Sequence, residues 1–336
     1  MFDKEKYTKF NDAQLGSVLE RPVLVSDIVE NMSKGPQPKP FVKFTLKDGF
    51  TAVNAVMFDC TAAFLADNGI AKNTVADVRM SVGEYQGAKN FKMMNIAPCA
   101  DTQIVPEDFV KLPPVQLDVM FDEICALIRD SAKPEHDGKK PIAVLALKIL
   151  SERRNEYMFS SAAVSMHHNL RGGLIYHSYR MVKAADVLCG VYSILDRELM
   201  ICGAALHDLG KIWEYSTSEA GDASFTREGV LYGHLYMGGE YVRSVAGRDN
   251  CYDFERVSML VHMILSHHGT QEWGAVSCPA VPEALALHYI DNLDAKLYMF
   301  EEAYETLKGG EITPQKNKAL DNNIYKPAYL GNGQDS

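Results

Sequence analysis

The feature that most constrains the fold of this chain is a change of hydrophobic pattern between residues 98 and 117. Residues 18–98 contain short apolar runs of alternating polarity, as in FVKFTL followed by the turn Lys-Asp-Gly. From residue 117 onward, apolar residues recur at three- and four-residue spacing, which is typical of helices. Residues 99–116 contain three prolines and predict a linker. The sequence therefore predicts two domains, which suits a chain of 336 residues.

The first part of the chain has the pattern of a small barrel. One short helix is predicted over residues 62–68, and hairpins are indicated by the Lys-Asp-Gly and Gln-Gly turns. The predicted strands are 18–29, 41–46, 50–58, 74–85 and 90–96. Several short strands with one helix within residues 1–98 favour an all-β barrel such as the OB-fold.

The second part, residues 117–308, is predicted to be an all-α bundle, and residues 309–336 an irregular tail. The predicted helices are 118–129, 142–153, 173–188, 196–205, 233–245, 252–266 and 282–307. The class is therefore multidomain, a barrel followed by a helical bundle. Apolar faces on several of these helices leave self-association open.

Charge and cysteine usage limit the function classes. The net charge of −10 argues against a broad basic face for nucleic acid. Residues 1–115 carry 13 basic and 14 acidic side chains and the rest 21 and 30, so the acidic surplus lies in the helical part. The seven cysteines are dispersed without a CxxC pair, which favours reduced thiols in a cytoplasmic protein. The charged N-terminus and the lack of a long apolar run predict neither a secretory signal nor a membrane span.

Seven polar side chains recur at the ends or inside apolar helices of the second part. Asp291, for example, lies in the apolar run ALALHYIDNLDAK, where an unpaired carboxylate would cost several kcal/mol. The simplest explanation is that all seven converge on a metal. They are His177, His207, Asp208, His234, His267, His268 and Asp291.

Imidazole and carboxylate ligands without thiolate suit a hydrolytic site. Mn²⁺ is the expected ion, with Co²⁺, Fe²⁺, Ni²⁺ and Zn²⁺ as alternatives. Seven ligands exceed the need of one tetrahedral ion, so one or two ions are expected. Asp208 is the natural bridge because a carboxylate has two acceptor oxygens.

The order H…HD…H…HH…D resembles that of HD-domain phosphohydrolases. The strings MHHNLRGGLIYHS, ALHDLGKIWEY, LYGHLYMGG, ILSHHGTQEWGA and LHYIDNLDAK are similar to those of the YhaM family of 3′→5′ exoribonucleases. That family also has an OB-fold before the HD domain. The resemblance covers residues 18–330 and is dense from 161 to 296.

The resemblance implies roles for individual residues. His177, His207, Asp208 and Asp291 would hold one ion, and Asp208 would share a second with His234, His267 and His268. Tyr176 stands where the family often has an acidic residue, which leaves the second ion's shell in question. Phosphate or substrate contacts are expected from Lys211, Arg171, His167, His168, Glu272 and Trp273. Of these, Lys211 and Arg171, with Asp208, are the candidate catalytic residues.

In the barrel, aromatic and basic side chains alternate, and OB-folds bind single strands by stacking bases on aromatics. Barrel core is the competing interpretation for each aromatic ring. The first candidates for substrate contact are Phe41, Lys43, Tyr85, Lys89 and Phe91.

The expected function is metal-dependent 3′→5′ hydrolysis of single-stranded RNA to nucleoside 5′-monophosphates, with single-stranded DNA left open as a substrate. An HD-type nucleotide or cyclic-dinucleotide phosphohydrolase is the alternative, because one metal site serves many phosphoesters. A non-catalytic nucleic-acid-binding protein is the alternative of another class.

Overall fold

The computed structural model describes residues 3–34, 37–85, 88–110, 112–162, 171–217, 223–249 and 251–330. The chain forms two compact units, residues 1–112 with 217–222, and residues 113–216 with 223–336. In the described part of the chain, no helix has both the length and the apolar character needed to cross a membrane.

The first unit is a closed five-stranded barrel with the strand order β1-β2-β3-β5-β4. Its strands are β1 (Val18–Met32), β2 (Pro40–Lys47), β3 (Ala52–Phe58), β4 (Thr74–Tyr85) and β5 (Ala88–Pro98), and α1 (Ala62–Asp67) follows β3. β2 shows why the sequence forms a barrel. Val42, Phe44 and Leu46 are fully buried while Lys43 is exposed, as the two-residue period of a strand requires. The predicted all-β OB-like barrel is confirmed.

The segment predicted as a linker is in part structured. Residues Pro106–Phe109 form a 3₁₀ turn, and Phe109 and Val110 are buried against Leu24 of β1. The segment 99–116, predicted as a linker, therefore contains a turn that packs on the barrel. The prolines indicate a segment without regular strands, and the apolar pair Phe109 and Val110 holds the turn to the barrel.

The second unit is helical, as predicted. Its helices are α2 (Leu117–Ser131), α3 (Ile142–Glu152), α4 (Arg154–Phe159), α5 (Gly173–Val191), α6 (Arg197–Leu206), α7 (Lys211–Glu214), α8 (Arg227–Asp249), α9 (Phe254–Ser266) and α10 (Pro282–Thr306). Two short strands, β6 (Tyr215–Thr217) and β7 (Ala223–Phe225), pair between α7 and α8.

Helix α6 lies at the centre of this unit. From Glu198 to Leu206 every residue is buried, as expected for a helix that is apolar on all sides. Asp196 caps its first turn, since the side chain accepts a hydrogen bond from the backbone N–H of Leu199 at 3.2 Å. The carboxyl end of α6 therefore delivers its last residues into the interior.

Two glycines shape the neighbourhood of that end. Gly233 has a φ of +71° and kinks α8, a conformation that favours glycine. Gly210, directly before α7, packs against the backbone of α8, because a Cβ there would lie 2.0 Å from the carbonyl oxygen of His234. The contact between Gly210 and the kinked helix brings His234 next to the end of α6.

The tail, predicted to be irregular, folds back on α10 over its described residues 309–330. Ile312 pairs with Tyr325 through an isolated bridge. The buried Lys326 donates from Nζ to the carbonyl oxygens of Tyr304 and Leu307, both at 2.9 Å. These bonds satisfy acceptors at the carboxyl end of α10.

Candidate metal centre

The structure brings all seven predicted ligands together in the helical unit. His207 follows the end of α6 and His267 the end of α9, where the buried apolar runs stop. The ligand atoms fall into three overlapping groups, within each of which they lie inside 4.8 Å of one another. The groups are His234–His267–His268, His177–His207–Asp208 and His207–His267–Asp291.

All five histidine rings are held through the same atom, Nδ1, which lies against an oxygen in each case. The Nδ1 atoms of His207, His267 and His268 lie 3.0, 2.8 and 2.9 Å from backbone carbonyl oxygens. A carbonyl oxygen can only accept, so Nδ1 donates and each neutral ring has its lone pair on Nε2. The Nδ1 atoms of His177 and His234 lie against carboxylates instead, at 2.7 and 2.9 Å.

The Nε2 atoms of these rings meet in two pairs. His177 and His207 bring theirs to 3.1 Å, and His234 and His268 bring theirs to 3.3 Å. Two Nε2 lone pairs this close repel each other unless a positive charge, carried by a proton or by a metal cation, lies between them. The donor set therefore fits two cations, with Nε2 as the metal-binding atom of each imidazole.

Asp208 lies between the two pairs. Its Oδ2 is 3.4 Å from Nε2 of His207, and its Oδ1 is 3.6 Å from Nε2 of both His234 and His267. Oδ1 is buried and has no hydrogen-bond partner. A buried carboxylate oxygen without a partner is costly, and a metal bound to it would remove that cost. The arrangement fits the bridging role expected of Asp208.

The electrostatics of the site favour cations. Burial raises the pKa of Asp208, but Lys211 and His207 outweigh it and hold that pKa well below its usual range. Burial lowers the pKa of His177, but Asp291 and Asp294 outweigh it and raise the pKa to about 10. The carboxylates thus favour a positive charge next to His177, which a divalent cation supplies.

Burial favours the neutral form of three further imidazoles, those of His234, His267 and His268. Burial lowers the pKa of His234 and His267. Burial, followed by the neighbouring His267, lowers the pKa of His268 to about 4. Neutral imidazole is the form that binds metals.

Lys211 adds one fixed positive charge. Its Nζ lies 2.7 Å from Oδ2 of Asp208, one helical turn away. Burial lowers the pKa of Lys211, but Asp208 outweighs it and raises that pKa, so the ammonium stays protonated. A partly buried ammonium beside the Asp208 carboxylate is placed to attract a phosphate.

The remaining predicted substrate residues lie at different places. Trp273 is 58% exposed, its carbonyl oxygen accepts from Nδ1 of His268, and its ring packs against that of His288 at 5.8 Å. Glu272 is exposed in the same 3₁₀ turn. Arg171 precedes α5, with its guanidinium 4.9 Å from the ring centre of Phe159. His167 and His168 lie outside the described residues.

Two carboxylates behind the ligands were not predicted. Asp294 contacts His177 and Glu214 contacts His234. Asp294 lies in the run LHYIDNLDAK, three residues after Asp291, a spacing that puts both on one helix face. Glu214 lies in the run LGKIWEY, where no local pattern indicates its contact with α8.

Tyr176, at the position that is often acidic in the family, belongs to none of the ligand groups. Its hydroxyl lies 3.4 Å from a guanidinium nitrogen of Arg180, and its ring packs edge-on against Tyr298 at 6.5 Å. The side chain is therefore directed to Arg180 and α10, on the side of the site that contains His177.

On the barrel, four of the five predicted contact residues reach the surface. Tyr85, Lys43 and Lys89 are exposed and Phe41 is partly buried. Phe91 is only 3% exposed and packs in the barrel core, so the expectation that it stacks on a base is wrong. β5 turns Phe91 inward, and sequence alternation alone does not say which face is the core.

An exposed aromatic ring that was not predicted lies beside Phe41. Phe58 of β3 is 55% exposed, and its ring centre is 6.0 Å from that of Phe41. The ammonium of Lys92 lies 5.6 Å from the Phe58 ring. We call Phe41, Phe58 and Lys92 the aromatic platform.

Comparison with known proteins agrees with this site. The HD domain family model matches residues 174–296, which contain all seven candidate ligands. The chain is 32% identical to the 3′-5′ exoribonuclease YhaM of Bacillus subtilis over 317 residues, which are 94% of this chain and 97% of that protein. It is 34% identical to the 3′-5′ exoribonuclease YhaM of Bacillus pumilus, over 90% of this chain and 94% of that protein.

Among solved structures, the second OB-fold domain of replication protein A from Methanococcus maripaludis aligns with 28% of this chain and 95% of its own. The identity is 14% and the TM-score 0.23, too low to support an argument. The barrel assignment depends on the strand order itself.

Proposed function

Since this chain belongs to the YhaM family of 3′–5′ exoribonucleases, we propose that its seven clustered imidazoles and carboxylates would hold two divalent cations for hydrolysis of the 3′-terminal phosphodiester of single-stranded RNA. The protein is a metal-dependent 3′→5′ exoribonuclease. The observation that carries the two-ion proposal is the pair of facing Nε2 contacts at 3.1 and 3.3 Å on either side of Asp208.

The residues of the chain have distinct tasks in this proposal. Bound cations supply an activated water and neutralise charge on the phosphoryl oxygens. Asp208 would hold both cations, since its two carboxylate oxygens face different imidazoles. Lys211, fixed by its 2.7 Å contact with Asp208, attracts the scissile phosphate and stabilises the negative charge that develops on it.

The exposed turn after α9 positions the terminal nucleotide. Trp273 is exposed in this turn and its carbonyl oxygen holds His268, and base stacking on an exposed aromatic is insensitive to sequence. Glu272 can accept a hydrogen bond from a ribose hydroxyl, which DNA lacks at the 2′ position. We propose Arg171 as a second phosphate contact, because it directly precedes the helix that contains His177.

On the barrel, the aromatic platform and the exposed Lys43 support a surface for the upstream strand. Aromatic faces stack bases while neighbouring ammonium groups attract the phosphates. Tyr85 at the end of β4 and Lys89 at the start of β5 are also exposed and extend this proposal. Single-stranded DNA offers the same bases and phosphates but lacks the 2′-hydroxyl that Glu272 would bind. We therefore propose that the protein processes DNA, but more weakly than RNA.

We propose Mn²⁺ as the working ion. Mixed imidazole and carboxylate ligands without thiolate accept Mn²⁺ and the later first-row metals, and geometry and availability decide among them. The seven cysteines are all free, so none is bound in a disulfide, which supports a cytoplasmic location.

We also propose that the protein self-associates through α10. Leu285, Tyr289, Leu293 and Leu297 follow one another at four-residue spacing and are 46–63% exposed. A continuous exposed apolar row of this kind is unusual in a monomer. Light scattering should give more than one chain per particle, and a Leu293→Lys variant should be smaller.

Metal analysis combined with product mapping on a 5′-labelled RNA tests the central proposal. We expect two Mn²⁺ per chain, a ladder that shortens from the 3′ end, and nucleoside 5′-monophosphates as products. Chelation should stop cleavage and added Mn²⁺ should restore it. Full-length RNA after incubation with fully metal-loaded protein would contradict the proposal.

A further inference from the structure

Behind the ligand cluster, two carboxylates that are not themselves in the ligand groups each face one histidine. We infer that Glu214 and Asp294 are positioning residues and that each determines the affinity for a different one of the two cations. The inference depends on the two-ion site proposed above. It assigns a task to two buried acids that the hydrolytic chemistry does not otherwise use.

Glu214 is the last residue of α7 and clamps His234. Its Oε2 accepts from Nδ1 of His234 at 2.9 Å, and its Oε1 accepts from the backbone N–H of the same residue at 3.1 Å. One carboxylate therefore fixes both the ring and the main chain of His234. The bond at Nδ1 leaves the lone pair on Nε2, where it faces His268 at 3.3 Å.

The backbone around Glu214 is built for this clamp. Gly229 in α8 packs so close that a Cβ would lie 2.3 Å from the carbonyl oxygen of Glu214. The kink at Gly233, with φ of +71°, comes directly before His234 and turns its N–H toward the carboxylate. Burial raises the pKa of Glu214, but His234 outweighs it and lowers that pKa, so the acid is ionised.

Asp294 holds His177 in an equivalent way from α10. Its Oδ2 lies 2.7 Å from Nδ1 of His177, and its Oδ1 accepts from Nε of Arg180 at 2.6 Å. Arg180 in turn pairs with Glu301 at 2.6 Å. The carboxylate is therefore itself held by a guanidinium that lies one helical turn after His177.

The two clamped histidines belong to different Nε2 pairs. His177 faces His207, and His234 faces His268, with Asp208 between the pairs. Removing a carboxylate that orients a metal-binding imidazole typically weakens metal binding 10–100-fold. Loss of Glu214 should therefore weaken the binding of one cation, and loss of Asp294 should weaken the binding of the other.

The test is a calorimetric Mn²⁺ titration of the metal-free full chain. Metal analysis after dialysis then gives the number of ions bound. Glu214→Gln has one acceptor oxygen for two donors, and Asp294→Asn loses the charge that Arg180 pairs with. We expect two ions in the wild type. In each variant, the Mn²⁺ affinity of one binding step should stay within about twofold of the wild type, and the affinity of the other step should fall about 10–100-fold. The double variant should weaken both steps.

Glu198→Gln is the matched control. Glu198 is buried like Glu214 and Asp294, and it accepts from the N–H of Ala143 and pairs with Arg256, outside the ligand groups. This variant should lower the thermal midpoint without changing either Mn²⁺ affinity. If Glu214→Gln does not fold, Glu214→Asp keeps the charge but is one methylene shorter, and it should weaken the same single step by a smaller factor.

The outcomes separate this inference from the proposed function. A wild type that cleaves RNA but binds one ion would refute the assignment to two cations while leaving hydrolysis intact. Two ions in the wild type, with Glu214 and Asp294 variants that weaken the same step or neither step, would overturn the inference alone. A wild type that binds Mn²⁺ but leaves RNA uncut would refute the proposed function, and the titration would still decide the role of the two carboxylates.

Discussion

At the scale of single residues, Asp208 has an unusual combination of contacts. One oxygen meets an ammonium and an imidazole, and the other is buried without a hydrogen-bond partner. In the interior of a protein such an oxygen is rare, and it marks a strained or functional position. The residue is therefore explained by the ions it would hold, rather than by the stability of the fold.

Asp208→Asn should abolish both metal binding and cleavage. The amide has the same shape but only one acceptor oxygen, so it cannot bridge two cations. We expect cleavage to fall at least about 1,000-fold, as for other groups that stabilise charge in a reacting site. RNA binding, measured by fluorescence anisotropy, should persist. Cleavage by the variant within about tenfold of the wild type would refute the bridging role.

Lys211→Met should lower kcat about 100-fold while leaving Mn²⁺ binding in place. The thioether has a similar length but no charge to stabilise the phosphoryl oxygens. Lys183→Met on α5 is the control, because Lys183 is exposed and pairs with Glu123 away from the ligands. Equal effects of the two variants on kcat would show that Lys211 has no special task.

At the scale of elements, the site depends on how α6, α7 and α8 approach one another. Gly210 permits the contact between the start of α7 and the backbone of His234, and Gly233 permits the kink that begins the ligand-bearing part of α8. Both are glycines, so neither has a side chain that could bind a metal or the substrate. Their effect on the metal centre is exerted through backbone geometry.

Gly210→Ala should therefore reduce both stability and metal binding. Its Cβ would lie 2.0 Å from a carbonyl oxygen, and overpacking of this kind costs about 1–3 kcal/mol or more. Gly247→Ala in α8 is the matched control, since a Cβ there meets nothing within 4 Å, and it should be neutral or stabilising. Urea unfolding and Mn²⁺ titration of both variants measure the difference.

Asp196, which caps α6, predicts a pH dependence of stability. Burial raises its pKa, but Arg256 and Lys133 outweigh it and lower the pKa to about 2. Because the folded pKa is depressed below the unfolded value of about 3.9, the contribution is present above pH 4 and is lost as the pH falls from about 4 to about 2. It amounts to roughly 2 kcal/mol.

Asp196→Asn keeps a capping oxygen but removes the charge, so it isolates the ion pairs. Its destabilisation relative to the wild type should be largest at pH 7 and should shrink toward pH 2 to 3 in urea unfolding. A difference that stays constant over this pH range would contradict the depressed pKa.

At the scale of the whole molecule, the protein joins a barrel with an aromatic platform to a helical unit with a buried charged centre. The barrel is near neutral in charge and the helical part carries most of the acidic surplus. Stacking on rings does not require a broad basic face, so an acidic protein can still retain a single strand. The division of tasks between the two units is open to a direct test.

Phe58→Ala should raise the KM for long RNA about tenfold and leave kcat for a small chromogenic phosphodiester unchanged, because loss of one stacking contact costs about 1–3 kcal/mol. Phe64→Ala is the control, since Phe64 is equally exposed at 56% but lies on α1 outside the platform. A loss of activity on both substrates would indicate damage to the fold instead.

The sequence by itself determined the succession of barrel and bundle and the identity of the seven clustered side chains. Both follow from local information: the period of apolar residues, and ionisable residues at the ends of helices that must be buried. The strand 74–85 and the start of the helix at 142 were predicted to the residue, because turn residues delimit them.

Only the tertiary structure decided what depends on contacts between distant segments. It turned Phe91 inward and exposed Phe58, because which face of a strand is the core is set by closure of the barrel. It held the 3₁₀ turn of the supposed linker against Leu24. It placed Glu214 and Asp294 behind His234 and His177, since a side chain's partner across a helix interface leaves no periodic trace in the chain.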